Sequence, residues 1–201
     1  MVAAGLLPLA AVRLIVGAWS WWDLAALAIV IALTPFTEWF IHLFVLHAEP
    51  FSLRGARIDT GSGHRQHHLD PGRIEHVLLR GVDAAIFQPM IASLVLGVTL
   101  PILWLANAPL LAPALTALVV ALAKLLEYEW DHFIFHTAYR PRTPYYARLK
   151  RNHRLHHWRN ERYWLGVTVN VGDRVFRTYP KSKSAVPLST TARTLGADPE
   201  G

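Results

Sequence analysis

The sequence predicts an all-α protein that crosses a membrane three or four times as a helical bundle, and three observations indicate this. Hydrophobic residues make up 53% of the 201 positions, whereas only 17% carry a charge. The apolar residues gather in blocks at least as long as the roughly 20 residues that a helix needs to span a bilayer. Lys and Arg, by contrast, are concentrated between those blocks and after the last of them.

Three of the blocks are predicted to be membrane spans. The first covers residues 23–47, and the other two cover residues 82–106 and 109–130. The last two flank the short stretch Asn107–Pro109, which is typical of a tight turn. We therefore expect residues 82–130 to form a transmembrane hairpin.

The first 22 residues are also apolar, but they contain Pro8 and Arg13. They either cross the membrane or lie along its interface, and we interpret them as a fourth span. They do not have the pattern of a signal peptide, because no basic region precedes the apolar stretch and its one cation lies in the middle. We therefore expect them in the mature chain.

The distribution of positive charge predicts the orientation in the membrane. Of the 20 Lys and Arg residues, 18 fall within residues 48–82 or after residue 136. Both stretches follow spans that exit on the same side, and an excess of Lys and Arg marks the cytoplasmic side. We interpret the net charge of +6 as orientation and attraction to anionic membrane lipids, not as a nucleic-acid site. Because Arg outnumbers Lys by 16 to 4, a bacterial inner membrane is favoured over the endoplasmic reticulum.

Ten of the eleven histidines occur in four short motifs, and His76 lies outside them. The motifs are two pairs, HLFVLH and HFIFH, and two triplets, HRQHH and HRLHH. In a helix, residues at positions i, i+3 and i+4 lie on one face, so each triplet and the second pair point their imidazoles in one direction. This spacing predicts ten metal ligands, namely His42, His47, His64, His67, His68, His132, His136, His153, His156 and His157.

The first pair has a different spacing. His42 and His47 are five residues apart, which separates them by about 140° of rotation on a regular helix. Either the helix loosens near His47, or these two histidines bind different ions. The chain contains no cysteine, so metal ligation must rest on nitrogen and oxygen.

The motifs follow the order pair, triplet, pair, triplet along the chain, and each pair ends a predicted span. If the two spans that carry the pairs pack together, all four motifs meet just outside the hydrocarbon. Ten imidazoles are too many for one ion, whereas two ions with about four to six ligands each can use all of them. The sequence therefore predicts a cytoplasmic, histidine-rich helical cap that holds a di-metal site.

Carboxylates near the motifs are expected to support this site. Two divalent ions held only by neutral imidazoles carry a net charge of about +4, which nearby carboxylates can offset. A carboxylate can also accept the spare ring N–H of a ligand histidine and thereby fix its tautomer. Four carboxylates are close enough in sequence for this role: Glu38, Asp70, Glu129 and Asp131.

In this order and around a hairpin, the four motifs resemble those of the membrane-bound fatty acid hydroxylase superfamily, which includes sterol desaturases, sphingolipid fatty-acid hydroxylases and carotene hydroxylases. Further similarity lies in HHLDP (His67–Pro71) and in Glu161–Tyr179, the stretch after the last motif. The resemblance covers about residues 30 to 180. It implies that the ten motif histidines bind two iron ions, and that O2 is the co-substrate for hydroxylating or desaturating a lipid.

Histidine ligands alone do not name the metal, since iron, zinc, copper and nickel all bind imidazole. Iron is the metal that the resemblance implies, although zinc could occupy the site in purified protein. The sequence has no glycine pattern for a flavin or nicotinamide cofactor. We therefore expect electrons from an external donor of the ferredoxin, cytochrome or reductase type.

The leading interpretation is an O2-dependent di-iron enzyme that hydroxylates a fatty acyl or sterol-like lipid. A lipid desaturase or a carotenoid hydroxylase with the same centre is an alternative. A membrane protein that binds or transports metal without catalysis is another. Nearly all predicted ligands lie at one membrane face, and this arrangement favours an enzyme over a carrier.

The chain is predicted to contain one membrane-embedded domain, residues 1–180. Residues 181–201 are rich in Pro, Ser, Thr and Gly and have few apolar side chains. Such a composition cannot bury enough apolar surface to offset the entropy of ordering, so we expect a disordered tail.

Overall fold

The computed structural model describes residues 2–79 and 81–192 and is almost entirely helical. Its only strands within those residues are β1 (Phe51–Leu53) and β2 (Ala56–Ile58), which form a small antiparallel hairpin. The predicted all-α class is confirmed. The α-helices are α1 (Val2–Val16), α2 (Trp21–Ile41), α3 (Ser62–Leu69), α4 (Ile74–Val77), α5 (Gly81–Leu105), α6 (Leu111–Phe135), α7 (Pro144–Trp158) and α8 (Val171–Val175).

Three helical segments among the described residues are long and apolar enough to cross a membrane. They are Trp21–Leu46, Ala84–Leu105 and Leu111–Phe135, and they match the three predicted spans. Helix α1 has 15 residues. At about 1.5 Å per residue it reaches only about 22 Å, which is short of a hydrocarbon core of about 30 Å. The structure therefore has three candidate spans among the described residues, and α1 is too short to be the fourth.

The chain divides into two compact units. The span unit comprises Met1–Thr34 and Leu79–Tyr128, and the histidine unit comprises Pro35–Leu78 and Glu129–Gly201. Helices α2 and α6 each contribute residues to both units. All ten motif histidines belong to the histidine unit.

Small apolar side chains form the centre of the span unit. Ala26 and Val30 of α2 cluster with Val95 of α5 and with Ala117 and Ala121 of α6. Small residues allow helix backbones to approach closely, and such contacts replace the hydrophobic effect as a source of helix association within lipid. The predicted hairpin of α5 and α6 thus packs against α2.

A buried ion pair accounts for the cation in the apolar helix α1. Arg13 is 3% exposed and donates to Asp23 at 2.5 Å, to Thr116 at 2.7 Å and to the carbonyl of Gly17 at 2.5 Å. Asp23 also accepts from Thr116 at 2.6 Å and from the backbone N–H of Ser20 at 2.8 Å. Each nitrogen of the guanidinium and each oxygen of the carboxylate therefore has a hydrogen-bond partner, as a buried charge requires in an apolar environment.

The histidine unit contains an irregular helical segment and a loop, residues 165–168, whose backbone N–H groups bind carboxylates. Helix α2 continues into a π-helical segment, His42–Leu46. After α7, the backbone N–H groups of Leu165 and Gly166 donate to the carboxylate of Asp173, at 2.9 and 2.8 Å. These contacts fix the loop that follows the last histidine motif.

Residues 181–192 make specific contacts, although the sequence predicts disorder for 181–201. The Arg159 guanidinium donates to the carbonyl of Val186, and the backbone N–H of Ser189 donates to the carbonyl of Arg159. Val186 is 2% exposed. Composition does not reveal these contacts because backbone carbonyls make most of them. Residues 193–201 lie outside the described residues.

Candidate metal centre

Nine of the ten predicted ligands come together in two groups. In each group, one ring nitrogen from every member lies within 4.8 Å of the corresponding nitrogens of all the others. We name them by size. The four-histidine group is His42, His47, His64 and His156, and the five-histidine group is His67, His132, His136, His153 and His157.

Each triplet serves both groups instead of forming one site of its own. On α3, His64 belongs to the four-histidine group and His67 to the five-histidine group. On α7, His156 joins the first of these groups, while His153 and His157 join the second. Two helices that each carry ligands for both groups hold the two groups at a fixed spacing.

The unusual spacing of the first pair is resolved by the π-helical segment. The backbone N–H of His47 donates to the carbonyl of His42 at 3.2 Å, a bond that spans five residues. The ring centroids of the two histidines consequently lie 5.1 Å apart. Of the two explanations left open by the sequence, the loosened helix is confirmed, because both residues belong to one group.

Backbone carbonyls fix the tautomer of several rings. A carbonyl oxygen only accepts, so a ring nitrogen facing one carries the proton, and the other nitrogen of a neutral imidazole presents a lone pair. Five rings are held in this way by a carbonyl: His42 by Leu165 (2.6 Å), His68 by Ala192 (3.0 Å), His132 by Val77 (3.2 Å), His156 by Tyr163 (3.1 Å) and His136 by Pro71.

Within each group, Nε2 atoms face one another at the spacing of metal ligands. In the five-histidine group, Nε2 of His67 lies 3.0 Å from Nε2 of His132 and 3.1 Å from Nε2 of His157. In the four-histidine group, Nε2 of His47 lies 3.1 Å from Nε2 of His64 and 3.2 Å from Nε2 of His156. Neighbouring ligands on an ion with metal–nitrogen bonds of about 2.0–2.1 Å are about 3.0–3.4 Å apart. The residues therefore fit one divalent ion in each group.

Burial keeps these histidines neutral. Burial is the largest cause that lowers the pKa of His67, His153 and His157 well below the usual 6.5, and repulsion by neighbouring histidines adds to it. Burial also lowers the pKa of His136 to about 4. Neutral imidazole is the form that binds metal ions, so the groups are ready to ligate near neutral pH.

We expect the metal-free protein to become less stable as the pH falls below about 6.5. A histidine with a lowered pKa takes up its proton more readily in the unfolded chain, so its contribution is complete above the ordinary pKa of about 6.5 and is lost as the pH falls. The midpoint of thermal unfolding in detergent should drop between about pH 7.5 and about pH 5. A constant midpoint over that interval would contradict the buried, neutral state.

His68, the tenth predicted ligand, belongs to neither group. Its ring stacks on His157 with centroids 4.0 Å apart and also contacts His64 and His156. Its Nε2 is buried and has no hydrogen-bond partner among the described residues. Ligation by His68 therefore stays a prediction. His76, which lies outside the motifs, also lies outside both groups.

Glu38 binds the loop that follows the last histidine motif. Its carboxylate accepts the backbone N–H groups of Val167 and Thr168 and the hydroxyl of Thr168. A hydrogen bond to a ligand histidine is not among these contacts, and direct support of a ligand by Glu38 stays a prediction. Through the contacts that it makes, Glu38 holds the loop whose Leu165 carbonyl accepts the proton of His42.

The other three carboxylates differ in exposure. Asp70 ends α3 and is exposed to solvent. Glu129 and Asp131 are buried on α6, with 6% and 1% exposure. Their predicted support of the ligands stays a prediction.

Sequence reasoning did not find Asp173 or the carbonyls that orient the rings. Asp173 is 1% exposed and accepts two backbone N–H groups of the loop that contains Leu165. A backbone carbonyl has no sequence signature, because every residue carries one. The only available signal was the resemblance over Glu161–Tyr179, which includes both the loop and Asp173.

Comparison with known sequences identifies the family. The profile of the fatty acid hydroxylase family matches residues 27–178, a stretch that contains every motif histidine. The chain belongs to the fatty acid hydroxylase family. This hydroxylase-family chain is similar to a dihydroceramide fatty acyl 2-hydroxylase of Arabidopsis thaliana, with 27% identity over 154 residues, 76% of the chain and 59% of the relative. It thus spans about three fifths of that relative's length, and no solved structure matches it.

Proposed function

We propose that this chain is an integral-membrane di-iron oxygenase that hydroxylates a C–H bond of a fatty acyl lipid. The observation that carries the proposal is the pair of buried histidine groups, in which neutral ring nitrogens converge at ligand spacing. Membership of the fatty acid hydroxylase family supports the same conclusion. When bound, two irons would supply the activation of O2, which zinc could not, because zinc has no redox chemistry.

The proposed reaction balances with an external source of electrons. One oxygen atom of O2 enters the C–H bond, and the other leaves as water after two electrons and two protons are taken up. The chain's own residues orient the ligands through the carbonyl contacts and keep water away by burial, since seven of the nine grouped histidines are buried. The balanced reaction therefore needs an external donor of two electrons.

A cavity beside the four-histidine group supports a lipid substrate. It has a volume of about 450 Å³, and its lining includes Leu43, Phe44 and His47. Glu161 and Arg162 also line it, so apolar and polar groups both face the space. Such a lining suits a molecule with an apolar chain and a polar head. The Arabidopsis relative is a dihydroceramide fatty acyl 2-hydroxylase, which agrees with a substrate of this class.

We also infer that the metal centre faces the cytoplasm. Its support is the position of 18 of the 20 Lys and Arg residues, within residues 48–82 or after residue 136. A bacterial inner membrane fits the excess of Arg over Lys. An accessibility assay with an impermeant label on single introduced cysteines would test the orientation, because the chain has no cysteine of its own.

Untargeted lipid analysis tests the proposed function directly. Cells that express the chain should accumulate a lipid heavier by one oxygen atom than its precursor, and cells that express the His67→Ala variant should not. Fragmentation of the product should place the oxygen on a fatty acyl chain. A product lighter by two hydrogen atoms would assign the desaturase alternative instead, and an unchanged lipid profile would contradict the proposal.

A further inference from the structure

A basic groove lies next to the last histidine motif. It has a volume of about 660 Å³, and Tyr139, Leu155 and Trp158 form part of its lining. No carboxylate of the described residues lines the groove. Four cationic side chains line it: Arg140, Lys150, Arg151 and Arg154.

The cations of this groove are not paired with any carboxylate of the described residues. Lys150 donates to the carbonyls of Thr137 and Tyr139, at 2.8 and 2.7 Å, which holds the ammonium in place without cancelling its charge. Arg140 and Arg154 are exposed, and neither forms an ion pair with a carboxylate of the described residues. Burial lowers the pKa of Lys150, and repulsion by the positive charge of Arg154 lowers it further. An anionic partner would relieve this repulsion.

One lining residue of the groove, Trp158, lies against a ring of the five-histidine group. Trp158 lines the groove, is 39% exposed, and has its ring centroid 5.3 Å from that of His157. A partner seated in the groove therefore contacts a side chain that itself contacts a ring of the five-histidine group.

We propose that this groove is the docking surface for the electron donor, an acidic one-electron carrier protein that seats its carboxylates on the four cations and its redox group against Trp158. The inference rests on the proposed oxygenase function, which requires an external source of electrons. Each encounter oxidises the carrier by one electron, so two encounters supply the two electrons that one hydroxylation consumes. Contact with Trp158 favours a redox partner over an anionic lipid, because only a redox partner transfers electrons toward the histidines.

The first test is binding to an acidic [2Fe–2S] ferredoxin, with the full chain in uncharged detergent. The Arg140→Glu/Arg154→Glu variant should bind about tenfold or more weakly at low ionic strength, and the difference should shrink as salt is added. The matched control is Arg54→Glu/Arg57→Glu, which makes the same charge change at exposed positions of the β1–β2 hairpin. It should stay within about twofold of the wild type.

The second test separates docking from electron delivery. At a ferredoxin concentration that saturates each variant, Trp158→Leu should slow the reduction of the metal centre, followed by absorbance in the absence of lipid substrate. Trp158→Phe should restore the rate under the same conditions. Metal content and the thermal transition, measured on every variant, identify a general loss of structure. Equal reduction rates for the wild type and Trp158→Leu would overturn the proposed contact.

A membrane role for the groove makes a different prediction. If Arg140→Glu/Arg154→Glu binds ferredoxin as tightly as the wild type but loses its preference for vesicles containing phosphatidylglycerol, the groove is a lipid contact and the proposal is wrong. Both tests omit the lipid substrate, so they do not depend on hydroxylation. A chain that shows the docking effects but oxidises no lipid would refute the proposed function and leave the docking surface standing.

Discussion

His67→Ala should lose the metal of the five-histidine group and all hydroxylation. Nε2 of His67 lies within 3.1 Å of Nε2 of both His132 and His157, so its removal deletes the nitrogen nearest to two other ligands. His67 is 1% exposed, and alanine cannot offer another donor atom. Metal content should fall by about one ion per chain, measured by elemental analysis of purified protein, and activity should fall below about one hundredth of wild type.

His76→Ala is the matched control for this experiment. It removes the same side chain from α4 at a position that lies outside both histidine groups. Metal content and activity should both stay within about twofold of the wild type. Full metal occupancy in His67→Ala, or a loss in His76→Ala as large as that in His67→Ala, would contradict the assignment of ligands.

Glu38→Ala should lower the metal affinity of the four-histidine group, although Glu38 forms no hydrogen bond with any histidine of that group. The substitution leaves the backbone N–H groups of Val167 and Thr168 without their acceptor, at a cost of about 1–3 kcal/mol each. The loosened loop carries the Leu165 carbonyl that orients His42. Loss of an outer partner of a ligand histidine typically lowers metal affinity about 10–100-fold. Competition with a chelator would measure the change.

Two further variants give the Glu38 experiment its controls. Glu38→Gln keeps one acceptor oxygen and a similar shape, so it should recover part of the affinity that Glu38→Ala loses. Glu75→Ala removes a carboxylate that is exposed and only weakly paired with Arg73, at 3.9 Å, and should change nothing measurable. If Glu38→Ala binds metal as tightly as the wild type, the contacts of Glu38 with Val167 and Thr168 do not determine the orientation of the His42 ring.

The elements that the sequence predicts well are those encoded by local patterns. Three spans follow from the length of the apolar blocks, and the helical triplets follow from the spacing i, i+3 and i+4. The break between His42 and His47 was also visible, because a spacing of five residues does not fit a regular helix. Each of these features depends only on residues that are close together along one helix, so the local sequence was sufficient to predict it.

What the sequence did not predict depends on contacts between distant residues. The spacing places the three histidines of each triplet on one helix face, but α3 and α7 divide their histidines between two groups, which only the packing of the helices determines. Glu38 stands one turn before His42, yet its partners are Val167 and Thr168, about 130 positions along the chain. The orienting groups of five rings are backbone carbonyls, which have no residue-specific signal.

Metal analysis of three purified proteins tests the central claim, that two separate groups of histidines each hold one ion. The wild type should contain about two irons per chain, while His153→Ala and His47→Ala should each retain about one, because each substitution removes a ligand from a different group. X-ray absorption should find a shell of nitrogen and oxygen ligands in all three. One ion in the wild type, or two in both variants, would contradict the account.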